Sequence, residues 1–343
     1  MDPVKYRPGK DPKTDTPVDL AWPSLARPEG KKLIYLDLMH WISLAKVTTG
    51  HRNGGPFTDA LAACRQALNE GEVVFPLSAC HYMEVLKIAD PGQRRALASV
   101  MGELSRFETL VDSGRLHALE ISASVDKLLS VPSSADSQAL VGRGAGFAFG
   151  QSLALPNEFE MRLLAGPSDD EVEDLRKRGW NPAMHRTVME RRVVQEKEQA
   201  ELFKKEADWR KGRLRDVVTA REWTIELFDP VCDEFDSRRV DMLKVFRSGT
   251  DEQNLQIARN FVRSMPSAEV AVEMKTRLHR QTQTKWDVNT IYDIDALSVA
   301  LPYCDIVVTE KNAANGLNAS GVSARMNTVV LTSLAELVPF LGA

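Results

Sequence analysis

The hydrophobic pattern changes period at Asp37. Leu33-Ile34-Tyr35-Leu36 is an unbroken apolar run ending on a carboxylate, the pattern of a strand covered on both faces. Beyond it Leu38, Ile42 and Ala45, with Trp41 and Leu44, recur at helical spacing. Asp37 is thereby predicted at the carboxyl end of a central strand, where open α/β sheets place their ligands. An Asp at a strand-to-helix turn also serves as an N-cap, and the local pattern leaves both roles open. Further strands are predicted over 72–76 (EVVFP), 115–120 (RLHALE), 305–309 (DIVVT) and 327–331 (NTVVL). Helices are predicted over 57–70, 78–89, 93–107, 122–130, 291–301, 311–320 and 333–341. Strand alternating with helix is the signature of a parallel sheet.

This alternation is interrupted. Residues 1–30, rich in Pro, Lys and Asp, read as a poorly ordered arm. Residues 131–155 read as a linker followed by a glycine-rich stretch, GRGAGFAFG. Its G-x-G-x-G spacing, with no strand predicted before it, suits a hinge or a cleft-lining loop better than a phosphate loop. Residues 156–285 carry almost no strand signal and predict long helices, one of them over 181–216 and continuing through 222–228. The expected organisation is an α/β parallel-sheet domain built from 31–130 and 286–343, the two ends of the chain, with a large all-α insertion between them.

Composition narrows the function classes. The 343 residues carry a net charge of −4, so any polyanion site is a local patch. One such candidate is 204–221 (KKEADWRKGRLRDVVTAR), with Trp209 interleaved among basic residues. A solvated helix laced with i,i+4 ion pairs explains the same stretch, and the mixed-charge ERRVVQEKEQAE run just before it favours that explanation. Cys64, Cys80, Cys232 and Cys304 form no C-x-x-C pair, so no zinc knuckle or redox motif is encoded, and scattered thiols fit a reducing cytoplasm. No signal-peptide pattern and no run of 18 apolar residues is present, so a membrane partner is not expected.

The candidate chemistry is acidic. Asp37 ends the first strand, and Glu84 lies in the helix after the second. Asp293 and Asp295 open the helix before DIVVT, Asp305 begins that strand, and Glu310 follows it. Carboxylates converging on one crevice without basic partners repel one another and call for a cation. Oxygen-only donors suit Mg²⁺ or Mn²⁺ rather than zinc. Ser78 and His81, which precede Glu84, and Lys311 are candidate phosphate contacts. A helix cap for Ser78, a packed ring for His81 and a solvated loop lysine are the plainer explanations. A dehalogenase-type phosphatase would need a second Asp two residues after Asp37, where Met39 stands.

The strand ending in LD, the Glu inside the next helix and the late D-x-D-A-L…PYCD-x-x-V-T-E block together resemble the PIN-domain nucleases, over about 33–120 and 288–341. The resemblance implies a Mg²⁺- or Mn²⁺-dependent endoribonuclease acting on single-stranded RNA, in the setting of a toxin or a defence effector. It matches Asp37 to the family's first acid, Glu84 to its second, and Asp293 or Asp295 to its third, and it brings the Thr309 hydroxyl near the metal-bound water. The family often has T-x-D after the penultimate strand. Here Thr309-Glu310-Lys311 puts Lys at that Asp, which leaves Asp305 or Glu310 to supply the fourth ligand. A structure-specific DNA nuclease with the same metal site, and an inactive PIN-like scaffold, are the alternatives. A second copy of the chain or an inhibitor protein would be the partner of the helical insertion.

Overall fold

The computed structural model describes residues 18–132, 136–151, 155–177, 182–206, 213–281 and 283–342. The chain is mixed α/β and forms two compact units, one built on a sheet (24–117, 135–187 and 295–343) and one helical (up to Pro23, 118–134 and 188–294). Among the described residues no helix is long and apolar enough to cross a membrane.

The sheet unit is organised around four parallel strands. We number the strands β1 (Leu25–Ala26), β2 (Lys32–Leu36), β3 (Val73–Val74), β4 (Glu108–Leu110), β5 (Gln138–Ala139), β6 (Val141–Arg143), β7 (Ile306–Val308) and β8 (Val329–Leu331). The central order is β3-β2-β7-β8, all parallel. Leu33 through Leu36 and all of β7 are buried, as an apolar run flanked on both faces requires, whereas Val329 on the edge strand β8 is exposed. The sheet extends past β3 through a parallel bridge between Leu77 and Thr109, and β6 then pairs antiparallel with β4. From β2 the chain crosses to β3 on one side, while β7, arriving from the far end of the sequence, docks on the other. The strand order therefore reverses between β2 and β7.

Several local expectations change. The RLHALE segment lies inside a helix, Ser113–Leu129, not in a strand. Its buried positions include Leu116, Glu120, Ile121, Ser124 and Val125, which follow a period near 3.6, visible only beyond a six-residue window. Strand pairing at this place is made by the shorter β4 instead. The glycine-rich stretch is β6 followed by the helix Gly144–Ala148. There the buried Glu160 carboxylate accepts from Ala145 N–H at 3.0 and 3.1 Å and from Tyr82 Oη at 3.1 Å. An internal carboxylate thus occupies the donor that a phosphate would use. Gly144 has φ of +77°, and a Cβ there would lie 2.1 Å from Glu160 Oε1. Of the N-terminal arm, residues 1–17 lie outside the described residues, while Leu25–Ala26 pairs with Gln138–Ala139 and belongs to the sheet unit. The units also part at different places from the sequence expectation. Residues 118–134 group with the helical unit, and 156–187 group with the sheet unit.

The helical unit has a core that includes Phe203, Phe235, Phe246, Phe261, Val218 and Val231, with Trp223 packed against it. The long helix read over 181–216 is Pro182–Lys205, and helix resumes at Leu214–Glu222; residues 207–212, with Trp209, lie outside the described residues. Three described basic side chains of 204–221 are ion-paired within this unit. Lys204 pairs with Glu201, Arg215 with Glu269 and Glu273, and Arg221 with Glu196. The pairs of Arg215 and Arg221 are long-range contacts between helices rather than i,i+4 pairs along one helix.

Candidate functional site

Asp37 stands at the carboxyl edge of the sheet, at the point where the strand order reverses. Its N–H continues the ladder to Val308 O at 2.9 Å, which fixes it beside the end of β7. The side chain serves two partners. Oδ1 accepts from Leu38 N–H at 2.7 Å, capping the helix Leu38–Thr48, and Oδ2 accepts from Thr309 Oγ1 at 2.8 Å. The cap and the functional placement are therefore compatible, because a carboxylate has about four acceptor positions. Thr309 is buried, and its N–H is held by Leu331 O at 3.1 Å, so its hydroxyl is pre-aimed at Asp37.

Glu84 is brought to the same edge by the helix Ala79–Val85, which follows β3 and is half-buried at that position. The common reference point is Tyr35, two residues before Asp37 and hence on the same face of β2. Burial raises the Tyr35 phenol well above its ordinary range, and the charges of Cys80, Asp37 and Glu84 raise it further. The charges of Asp37 and Glu84 thus both act on one phenol. Tyr35 was missed as a sequence candidate, although its position two residues before Asp37 was the available signal.

Ser78 and His81 do not face outward. Both are buried, and His81 is fully so. Ser78 N–H donates to His81 Nδ1 at 3.0 Å, while His81 Nε2 sits 2.9 Å from Leu36 O. Burial holds His81 down to about 4, against the pull of the Asp37 charge and of Leu36 O. Both residues are taken up by internal contacts at this edge. Ser78 is the N-cap of its helix, as one sequence reading had it. Trp41 is core, with no exposed surface. His40 is buried beside Thr309. Burial lowers its pKa, the Thr309 main chain and the Asp37 charge counteract this, and its Nε2 has no hydrogen-bond partner among the described residues.

The other acids are spread out. Asp305 precedes β7 at the amino edge, where Oδ2 accepts from Leu33 N–H at 2.7 Å and from Arg27 Nη2 at 2.6 Å. The in-register pairing of Ile34 with Ile306 and Leu36 with Val308 sets Asp305 about four residues of strand from Asp37, roughly 13 Å. Asp305 is therefore removed from the candidate catalytic and metal-ligating set; it closes the sheet's other end. Glu310 and Lys311 follow Thr309 on the carboxyl edge and are exposed. The Lys311 charge helps to hold Glu336 below the usual carboxylate range, behind the larger effect of hydrogen bonds from Thr332. Asp295 and Asp293 are half-buried in the helix Val288–Tyr303. Asp295 belongs to the sheet unit, and Asp293 to the helical one. Asp295 lies eight residues before Tyr303, about 12 Å of helix, a length similar to the strand that follows.

Comparison of the sequence with protein-family models and with curated proteins, and of the fold with solved structures, finds no match. The site's chemistry therefore rests on its own geometry. Among the described residues no group of three or more His, Cys, Asp and Glu side chains is placed to hold a metal ion. A preformed all-protein cage is thus absent from them. Mg²⁺ is ordinarily held by one or two carboxylates, with water and substrate oxygens completing the shell, and the donor chemistry of Asp37 and Glu84 fits that mode.

Proposed function

We propose that the chain is a Mg²⁺- or Mn²⁺-dependent nuclease that hydrolyses phosphodiester bonds of single-stranded RNA through the carboxyl edge of a PIN-like sheet. The observation that carries the reading is the position of Asp37 at the reversal of strand order, its carboxylate oriented by Thr309; the charge of Glu84, like that of Asp37, acts on Tyr35. Ligands of open parallel sheets bind in that crevice.

In this reading Asp37 and Glu84 hold the cation, and Asp295 supports them from the helix that leads into β7. Thr309 keeps one Asp37 oxygen from rotating, which leaves the remaining lone pairs in a fixed direction. The ion, when bound, polarises the phosphoryl oxygen and lowers the pKa of the attacking water. Lys311, exposed just beyond Thr309, would meet the incoming phosphodiester backbone, and Glu310 before it would be the further carboxylate for the ion. Lys311, at the position where the PIN-like pattern often has an Asp, favours one competing reading, a PIN-like scaffold without catalysis. The experiment that tests the proposal is cleavage of labelled single-stranded RNA and of the matching DNA, with Mn²⁺ and with EDTA. Mn²⁺-dependent RNA cleavage supports it, DNA cleavage alone moves the substrate to DNA, and no cleavage of either favours the scaffold.

A further inference from the structure

We infer that His81 is a positioning residue that sets the separation of Asp37 and Glu84 by tying together the two backbone segments that carry them. The inference rests on the proposed cation-binding role of those two acids.

His81 has unusual work for a residue at the third position of a helix. That position in a capping box is normally Glu or Gln, whose side chain folds back to the N-cap N–H. Here the imidazole performs that task, with Nδ1 accepting from Ser78 N–H at 3.0 Å. Because Nδ1 accepts, the ring proton resides on Nε2, which donates to Leu36 O at 2.9 Å. One rigid ring therefore spans from the start of the helix Ala79–Val85 to the last residue of β2. Leu36 is the residue before Asp37. Glu84 is one turn beyond His81, on the same helix face. Any change in the span moves one acid relative to the other.

The ring is locked as well as bonded. Tyr35 stacks on it with centroids 5.0 Å apart and planes at 28°, and Trp41 meets it edge-on at 6.3 Å. On the opposite side Asp37 is pinned by its own N–H to Val308 O. The first acid is thus fixed from β7, and the second is fixed to it through His81. His81 has no exposed surface, so it acts on the site only through these partners. Residues that orient ligands in this way typically change metal affinity by about 10- to 100-fold when replaced.

Two substitutions separate positioning from capping. In His81→Gln the amide presents an acceptor and a donor at a separation similar to that of Nδ1 and Nε2, so both bonds can be kept. In His81→Asn the side-chain oxygen replaces Nδ1 for Ser78 N–H, but nothing reaches Leu36 O. Mn²⁺ binding to the full chain, read from the EPR signal of the free ion, is the assay, and urea unfolding reports the fold. The expected result is near wild-type affinity for H81Q and at least about tenfold weaker binding for a folded H81N. A folded H81N that binds Mn²⁺ like the wild type overturns the positioning role. Wild-type protein that binds no Mn²⁺ overturns the cation reading and this inference with it. The ¹⁵N shifts of His81 in the wild type give a test independent of how the variants fold. A proton on Nε2 is expected, and a proton on Nδ1 refutes the span.

Discussion

Glu196→Gln is the substitution whose effect the structure fixes most closely. Glu196 sits in the helical unit, on Pro182–Lys205, and is nearly inaccessible. Its carboxylate lies 2.8 Å from His279 Nε2, 3.4 Å from Arg221 Nη1 and 3.7 Å from Lys275 Nζ. Burial alone would raise its pKa, but the hydrogen bond with His279 and the charges of Lys275 and Arg221 outweigh burial and hold it at about 2, against an ordinary 4.5. The folded state therefore prefers the ionised form by about 3 kcal/mol, at about 1.4 kcal/mol per pH unit. The sign follows from the depressed value. This stability is fully present above the unfolded pKa and is lost as pH falls toward the folded one. Replacing the carboxylate with a neutral amide should cost about 3 kcal/mol at pH 7, and by the same linkage the gap should shrink to roughly half of that at pH 3. Lys275 keeps its partner Glu222 at 2.7 Å, so the buried ammonium is not stranded by the change. Urea unfolding of both proteins at the two pH values measures the gap. A difference below about 1 kcal/mol at pH 7, or one that stays constant down to pH 3, refutes the assignment of the net attraction to this carboxylate.

Two predictions concern the glycine-rich segment. Gly144→Ala should destabilise by about 1–3 kcal/mol in urea unfolding, because the left-handed φ is unfavourable for Ala and its Cβ displaces a carboxylate bonded to Ala145 and Tyr82; an unchanged midpoint would contradict this. Burial raises the pKa of Glu160 despite the donors around it, so its ionised form is disfavoured on folding, and wild-type stability should fall as pH rises from the unfolded value through the folded one. Glu160→Gln should flatten that fall, and a pH profile in the variant identical to that of the wild type would show that Glu160 does not titrate in this way.

The sheet was legible because strands buried on both faces must be apolar throughout. LIYL, IVV and VVL announce themselves in the sequence, and Asp37 is conspicuous at the end of the first. RLHALE was misread because six residues cannot distinguish alternation from a helical face, and because the acid that completes the face, Glu120, is buried against a partner remote in sequence. It accepts from Ser267 N–H at 3.1 Å, 147 residues away. The acids diverged for a simpler reason. Asp37 follows its strand and Asp305 precedes its own, so parallel pairing separates them to opposite edges. His81 was not legible as a buried brace, since its partners are main-chain atoms of Leu36 and Ser78 and only the fold brings them together. The glycine-rich stretch likewise depends on Glu160, which lies beyond any local window.

The most direct test of the nuclease reading is cleavage of a labelled single-stranded RNA by the wild type, Asp37→Asn and Asp305→Asn in the presence of Mn²⁺. Asp37→Asn keeps the volume and the acceptor for the helix cap but removes the charge. Asp305→Asn keeps an acceptor for Leu33 N–H and loses only a solvent-exposed pair with Arg27, which costs about 1 kcal/mol or less. The account predicts metal-dependent cleavage by the wild type and by Asp305→Asn, and none by Asp37→Asn. Cleavage that survives in Asp37→Asn and disappears in Asp305→Asn would place the chemistry at the opposite edge of the sheet and contradict it.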